Sequence, residues 1–424
     1  MIKEDFLHYL WKLKKIDFSN LTTSKGETVT ILDFGKYNTD SGPDFFNAKV
    51  KIDDTIWAGN IEMHVLSSDW IKHKHHHDPA YNNVILHVVY EEDMKIKTNA
   101  GIELPVIELK NRIFNNDLKN YKLLKFNKNW IPCEKAIKKV SDISKENALE
   151  KALTDRLINK SSHLKSILEE KKDAWDEAFY IFLSRYFGMK TNSDAFEALA
   201  KKLPYKIVLK EKDDINKIEA LLFGQAGMLR DLFSDEYPLF LKNEYEHLSN
   251  KYNLTPIPVS MWKFSKLRPL NFPTIRISQL AYILFKQDHL FRNVFECNDI
   301  NCLFSIFKAQ TSVYWENHYT FDEKSINKKK YLGKNSIEIL IINAVIPALF
   351  YFGHLNNETG YKERALDILM QLPPENNSII KKWKGLGIEI KSAYDSQALL
   401  ELKQNYCDKK RCLECPVGNE IMNK

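Results

Sequence analysis

The spacing of apolar and polar residues changes near residue 130 of this chain. Upstream, short runs such as Thr28–Phe34 are separated by turn-rich segments, a pattern typical of strands. Downstream, apolar residues recur three or four positions apart over long stretches, which predicts helices. The sequence therefore predicts an α+β protein. It would have a mixed α/β domain at residues 1–130, a larger and mostly helical domain at 131–405, and a cysteine-rich tail at 406–424.

The first domain has an order of elements that can be traced along the sequence. Lys3–Ile16 carries apolar side chains at helical spacing, and a second, short helix is predicted near Ser68–His73. The almost continuously apolar run Val84–Val89 is typical of a central strand that is buried on both faces. Strands are predicted at Thr28–Phe34, Ala48–Ile52, Ile56–Val65, Val84–Tyr90 and Lys95–Leu109. The predicted order is helix, three strands, short helix and strand.

The second domain is predicted to be helical nearly throughout, after a connector at Asn111–Lys139. Within one helical pattern, Gly224 and Gly227 indicate close helix packing or a turn that ends the helix. The most apolar window, Ile337–Phe352, includes two polar residues and is too short to span a bilayer. Helices are predicted at Ser144–Glu170, Ala174–Tyr186, Asp214–Phe233, Tyr237–Tyr252, Arg276–Asn293, Ser336–Tyr351 and Tyr361–Leu372.

Composition narrows the class of protein. Of the 424 residues, 44% are hydrophobic and 28% are charged, which excludes wholesale disorder. The net charge of +6 permits a nucleic-acid partner without requiring one. Six cysteines are too few for a disulfide framework, and no targeting or membrane segment is recognisable. The expected location is a reducing cytoplasm.

Two carboxylates in the first domain carry the most informative chemistry. Asp44 follows a Ser-Gly-Pro turn, and Glu62 lies in a predicted strand whose alternation points Glu62 and His64 to the same face. If the two strands form a hairpin, Asp44 lies beside Glu62. Such a pair suits Mg²⁺ or Mn²⁺, which can activate water for phosphodiester cleavage. His64 would supply a cationic or protonatable group next to that metal.

This constellation resembles the PD-(D/E)xK nuclease superfamily, in which an Asp preceded by Pro is followed by a strand bearing Glu-x-(basic). The order of the predicted elements is similar too, and the resemblance covers about residues 1–110. It implies a nuclease-like fold, with His64 at the usual lysine position and Glu4 as the acidic residue of the first helix. The whole chain also resembles a bacterial family of unknown function, through GPDFFNAKV, GNIEMHVLSSDW, NNVILHVVYEED and LRPLNFPTIRISQLA. That second resemblance implies no activity.

The leading expectation is a metal-dependent nuclease that hydrolyses phosphodiesters of DNA or RNA. Replacement of the lysine by His64 favours an alternative, a non-catalytic nucleic-acid-binding or scaffold protein that retains the fold. In a purely structural interpretation, Asp44 caps a turn, and Glu62 and His64 face solvent.

A run of histidines follows the carboxylates. His73, His75, His76 and His77 lie within five residues, and neutral imidazoles are good metal ligands. One interpretation is a lid over the carboxylates, with His73 or His77 as accessory groups. A metal site built from histidines alone, unrelated to nucleic acid, and a solvated polar loop are the alternatives. His87 lies in an apolar run, which favours a buried structural role.

The helical domain contains a segment in which basic and aromatic residues alternate. Its cations, Lys263, Lys266, Arg268 and Arg276, are candidates for contacts with nucleic-acid phosphates, and Trp262 or Phe272 for stacking on a base. The alternative is a proline-containing connector whose aromatic side chains pack inside the domain.

Three cysteines are concentrated near the C-terminus. Cys407, Cys412 and Cys415 have a spacing that suits a thiolate-bound Zn²⁺ or an iron–sulfur cluster. Cys133 is the candidate fourth ligand, and Cys297, Cys302 or a histidine are alternatives. Buried thiols without a metal, or redox chemistry, would explain the same residues.

Overall fold

The computed structural model describes residues 2–99 and 101–424. The chain divides into two compact units. The first contains the chain up to Ala148 together with the C-terminal segment Leu402–Lys424, and the second contains Leu149–Glu401. The predicted C-terminal tail is therefore an integral part of the α/β unit, and the division falls later than residue 130.

A mixed sheet forms the centre of the α/β unit. The strands are β1 (Val29–Asp33), β2 (Lys36–Tyr37), β3 (Phe45–Ile52), β4 (Thr55–Leu66), β5 (Val84–Glu91) and β6 (Val106–Glu108), and the helices that accompany them are α1 (Glu4–Lys12), α2 (Asp69–Lys72) and α3 (Asn115–Lys125). Along the sheet the order is β1-β3-β4-β5-β6, and β2 pairs with the first residues of β3. The pairs β1–β3 and β3–β4 are antiparallel, whereas β4–β5 and β5–β6 are parallel.

Apart from the two-residue strand β2, this arrangement confirms the predicted order of helix, three strands, short helix and strand. The long strand β4 is central, and residues 59–64 of it are buried, as are most residues of β5. Helix α1 packs against β4 with its apolar face, and its Trp11 also donates a hydrogen bond to the carbonyl oxygen of Phe34. The predicted strand at Lys95–Leu109 is wrong in its first part, because only Val106–Glu108 joins the sheet.

Helix α3 lies where an irregular connector was predicted. Its sequence is largely polar, and the buried side chains are few, among them Tyr121 and Leu124. The helix is held by the C-terminal segment, because the Asn120 side chain donates a hydrogen bond to the carbonyl oxygen of Ile421. Lys15 bonds both to Asp117 of α3 and to the carbonyl oxygen of Met422. The C-terminus is thereby attached to α1 and α3.

The second unit is almost entirely helical, as predicted. Its helices are Trp175–Phe187, Ser193–Lys202, Tyr205–Lys210, Ile215–Gln225, Glu236–Tyr252, Pro273–Lys286, Leu290–Glu296, Ile300–Phe307, Lys334–Leu340, Ile346–Leu355, Thr359–Gln371, Ser378–Gly385 and Ala393–Glu401, preceded by the long helix Asp142–Glu170 that contains the division. A small hairpin pairs His318–Thr320 with Glu323–Lys324.

Both explanations offered for the glycines are found. A side chain at Gly224 would collide with the ring of Tyr245, so this glycine permits close packing. Gly227 has a φ of +74°, a left-handed conformation that follows the end of the helix at Gln225. The predicted helix Asp214–Phe233 is therefore too long.

One apolar stretch of the described residues, Lys334–Leu355, has the length and composition of a membrane-spanning helix. Most of it is buried inside the helical unit, and Ile341–Val345 within it adopts π-helical geometry. Its apolar character is thus explained by its place in the core, as in the core helices of soluble proteins.

A candidate carboxylate and histidine centre

The register of the β3–β4 hairpin brings Asp44 and Glu62 together. Asp44 directly precedes β3, and the pair Phe45–Ile61 places it opposite Glu62. The backbone N–H of Asp44 donates to Oε2 of Glu62 at 3.1 Å, and that of Met63 donates to Oδ2 of Asp44 at 2.9 Å. The predicted proximity of the two carboxylates is confirmed, and both are fixed by backbone donors.

Burial makes this pair electrostatically unfavourable. Glu62 is only 4% exposed, and burial together with the nearby charge of Asp44 raises the pKa of Glu62 to about 9. Without a cation between the carboxylates, Glu62 retains a proton at neutral pH. A cation placed between the carboxylates would favour the ionised form of both groups.

Helix α1 contributes two more polar groups, Glu4 and His8, one turn apart on the same face. Nε2 of His8 lies 3.1 Å from Oδ2 of Asp44. Burial raises the pKa of Glu4, with further influence from His73, His8 and Asp44, so Glu4 lies near the same groups as the resemblance implied. His8 was not predicted, although its spacing of four residues from Glu4 was a usable signal.

The histidines converge on the same place. Nε2 of His64 is 3.1 Å from Nδ1 of His73, and Nε2 of His75 is 3.2 Å from Oε1 of Glu62. The ligand atoms of His64, His73 and His75 all lie within 4.8 Å of one another. His77 is exposed and its ring contacts that of His76 at a tilted angle instead of joining this group.

The segment after β4 positions the histidines. Helix α2 buries Trp70, which is 1% exposed and contacts the rings of His64 and His75. The ring of His75 also stacks on Tyr81, with 3.8 Å between centroids. These aromatic contacts hold part of the histidine run against the sheet, which disagrees with a solvated polar loop.

Strand β5 supplies His87 beside His64. The register pairs Glu62 with His87, and Nε2 of His87 lies 2.8 Å from Nδ1 of His64. This contact fixes the orientation of the His64 ring and leaves its Nε2 facing Glu62 and His73. His87 is fully buried, as its apolar surroundings predicted, but it supports the candidate centre and not only the core.

The protonation of His64 differs from the expected one. Burial, followed by the neighbouring His87, His75 and His73, lowers the pKa of His64 to about 2. This favours the neutral ring of His64 at physiological pH, and its role as the protonatable group beside a metal stays a prediction. For His8, burial acts to lower the pKa, but Asp44, Glu4 and Glu62 outweigh it and the pKa is raised.

Two buried imidazole nitrogens in the centre are close to carboxylates. Nε2 of His8 lies 3.1 Å from Asp44, whose hydrogen bond and charge raise the pKa of His8. Nε2 of His75 lies 3.2 Å from Glu62 but has no hydrogen-bond partner of acceptable geometry. With neutral imidazoles and carboxylates as donors, the residues fit a divalent cation.

In the basic and aromatic segment of the helical unit, two of the residues predicted to contact nucleic acid are buried. Trp262 is buried and donates a hydrogen bond to the carbonyl oxygen of Ala226, so it is not available to stack on a base. Arg276 is also buried and donates to Asn271, Gln279 and Ser336, so its predicted contact with phosphate is wrong. The segment matches the connector interpretation. Its remaining predicted cations, which are exposed, are Lys263, Lys266 and Arg268.

The chain belongs to a family described as "Protein of unknown function (DUF2851)", whose model matches residues 4–378. This family covers most of both units. No curated protein and no solved structure matches the chain. Neither the family description nor the searches assign a role to the residues of the centre.

Proposed function

We propose that the α/β unit is a metal-dependent phosphodiesterase that hydrolyses nucleic acid, related in design to the PD-(D/E)xK nucleases. One observation supports this proposal most strongly. Glu4, Asp44 and Glu62 meet at the end of the β3–β4 hairpin, within a helix–strand–strand–strand–helix–strand order. These elements correspond to those that the resemblance implies for such nucleases.

The metal would be held by Asp44 and Glu62, with Glu4 and the histidines His64, His73 and His75 available as further ligands. A bound divalent cation would supply Lewis-acid stabilisation of the phosphate and activation of water. Hard ions such as Mg²⁺ and Mn²⁺ prefer the carboxylates, whereas the imidazoles also suit Zn²⁺.

His8 takes the role that sequence comparison gave to His64. It is the imidazole closest to Asp44, and the surrounding carboxylates favour its protonated form. A protonated His8 can stabilise negative charge on a phosphate or donate a proton to the leaving oxygen. His64 remains neutral, and His87 holds its ring in place.

The histidine group supports a second candidate, a metal enzyme that does not act on nucleic acid. Its specific observation is that three imidazoles already lie within ligand distance of one another, as in many Zn²⁺ sites. The two candidates share one centre and differ in substrate.

A cleavage assay with the purified full chain tests the proposal. With Mg²⁺ or Mn²⁺ the protein should cleave DNA or RNA, and Asp44→Asn or Glu62→Gln should reduce cleavage to background. The matched control is Asp54→Asn, which removes an exposed carboxylate in the turn of the same hairpin and should leave activity unchanged.

Three other outcomes are informative. Equal cleavage by the wild type and both carboxylate variants would contradict the proposal and indicate a contaminant or another site. Binding of nucleic acid without cleavage under any metal would favour a scaffold protein. If the carboxylate and histidine centre binds metal but the protein neither cleaves nor binds nucleic acid, the second candidate is favoured.

A further inference from the structure

The six cysteines separate into two groups. Cys297 and Cys302 form a disulfide within the helical unit. They are thereby excluded as the fourth ligand of a C-terminal metal site. The other four cysteines carry thiols, and all of them belong to the α/β unit.

Hydrogen bonds attach the C-terminal loop to the segment that precedes Cys133. The Lys410 ammonium donates to the carbonyl oxygens of Lys125 and Asn127, at 2.7 and 3.1 Å. The Asn127 side chain in turn donates to the carbonyl oxygen of Pro132 at 2.9 Å. Two segments that are distant in sequence are therefore fixed beside each other.

The loop itself is tightly built around two of the cysteines. The backbone N–H of Cys415 donates to the carbonyl oxygen of Cys412 at 3.2 Å, and Cys415 precedes the helix Pro416–Met422. A β-carbon at Gly418 would lie 1.9 Å from that same carbonyl oxygen, so only glycine allows this approach. The turn between Cys412 and Cys415 is thus held closely against the helix.

The four thiols lie in adjoining segments of the α/β unit and are largely closed to solvent. Cys133 and Cys415 are each 8% exposed. Burial, followed by Cys415 and Cys412, raises the pKa of Cys133 to about 12. Burial also raises the pKa of Cys407, and the thiols of Cys133, Cys415 and Cys412 add to that effect. These influences agree with the hydrogen bonds that hold the C-terminal loop beside the Cys133 segment.

We propose that Cys133, Cys407, Cys412 and Cys415 form a thiolate-bound metal centre, which holds either Zn²⁺ or an iron–sulfur cluster. Four thiolates are a complete ligand set for both, whereas the carboxylate and histidine centre offers oxygen and nitrogen ligands. This cysteine centre links the C-terminal loop to the Cys133 segment. It would bind its metal whether or not the carboxylate and histidine centre is catalytic.

Metal analysis of protein purified without oxygen and without added metal tests this site. We expect about one zinc per chain, or several irons with visible absorption from sulfur-to-iron charge transfer. Cys412→Ser and Cys133→Ser should each lose that metal. The matched control Cys297→Ser, in the helical unit, should retain it.

A second measurement guards against variants that fail to fold. Removal of the metal from the wild-type protein with a chelator should make the C-terminal loop sensitive to protease, and its return should restore protection. Metal that is retained in Cys412→Ser and lost in Glu62→Gln would overturn the proposal, as would a metal-free wild type with a protected C-terminus. Loss of nuclease activity alone would not bear on it.

Discussion

Glu219 in the helical unit and Glu62 in the α/β unit are both buried, but different groups surround their carboxylates. Glu219 in the helical unit is fully buried, and the hydroxyl groups of Ser278 and Tyr237 donate to its two carboxylate oxygens at 2.6 and 2.7 Å. Glu62 in the α/β unit receives one backbone N–H and otherwise faces Asp44 and imidazole nitrogens. The pKa is raised to about 6 for Glu219 and to about 9 for Glu62, chiefly by burial.

The difference separates a carboxylate whose hydrogen bonds are satisfied from one that we propose binds a metal. The hydroxyls around Glu219 satisfy its carboxylate and lower its pKa, so no further ligand is needed there. Around Glu62, a second carboxylate raises the pKa, and Nε2 of the neighbouring His75 has no hydrogen-bond partner of acceptable geometry. Groups of this kind persist in a fold when something else binds to them.

Substitution of the two glutamates should change the free energy of unfolding more than any other variant considered below, and in contrasting ways. Glu219→Ala leaves a cavity and two buried hydroxyls without an acceptor, and we expect it to reduce the free energy of unfolding by about 3 kcal/mol. Glu62→Gln should not destabilise the metal-free protein, because Glu62 is already uncharged there and Gln has nearly the same shape. Urea titrations measure both, and equal destabilisation would break the comparison.

The pH dependence of stability should report Glu219. Its folded pKa of about 6 exceeds the ordinary value of 4.5, so the folded state binds the proton more tightly. The resulting stability is complete below 4.5 and is lost as the pH rises to about 6, for a total of about 2 kcal/mol. Glu219→Gln should remove this part of the pH profile in unfolding experiments, and an unchanged profile would show that Glu219 does not titrate as described.

Loss of the support behind His64 should weaken the α/β centre. His87→Phe keeps an apolar ring in β5 but removes the contact with Nδ1 of His64. We expect the affinity for Mn²⁺ or Zn²⁺ to fall by about tenfold or more, because such contacts orient metal ligands. Isothermal titration calorimetry measures the affinity. An unchanged affinity would remove His64 from the ligand set.

The smallest effect is expected in the helical unit. Its exposed cations Lys263, Lys266 and Arg268 can still contact phosphates, although Arg276 and Trp262 cannot. If they do, each substitution by Ala should lower the slope of log affinity against log salt by about one. Fluorescence anisotropy with single-stranded DNA measures that slope. An unchanged slope in all three variants would restrict nucleic-acid contact to other residues.

Much of the α/β unit was predictable because its signals are local. The alternation in β4 predicted the common face of Glu62 and His64, and a hairpin of β3 and β4 was expected to place Asp44 beside Glu62. Helix α3 escaped prediction because its apolar face is narrow and depends on the C-terminal segment for burial. Long-range contacts of this kind have no signature in a local pattern.

The chemistry of the centre was only partly predictable. Proximity of Asp44 and Glu62 follows from strand pairing, but the neutral state of His64 depends on burial and on four other imidazoles. His8 was overlooked because the apolar residues of α1 dominate its pattern, and its approach to Asp44 is a contact between distant segments. Protonation states are properties of the assembled fold.

Binding of Mn²⁺ to three forms of the protein tests most directly whether Glu62 belongs to a metal centre. The ion prefers carboxylate and imidazole ligands over thiolates, so the cysteine site does not interfere. We predict that the wild type and Glu219→Gln bind Mn²⁺ with the same affinity in calorimetry and paramagnetic resonance, and that Glu62→Gln does not bind it. Equal binding by Glu62→Gln and the wild type would contradict the assignment of Glu62 to a metal centre.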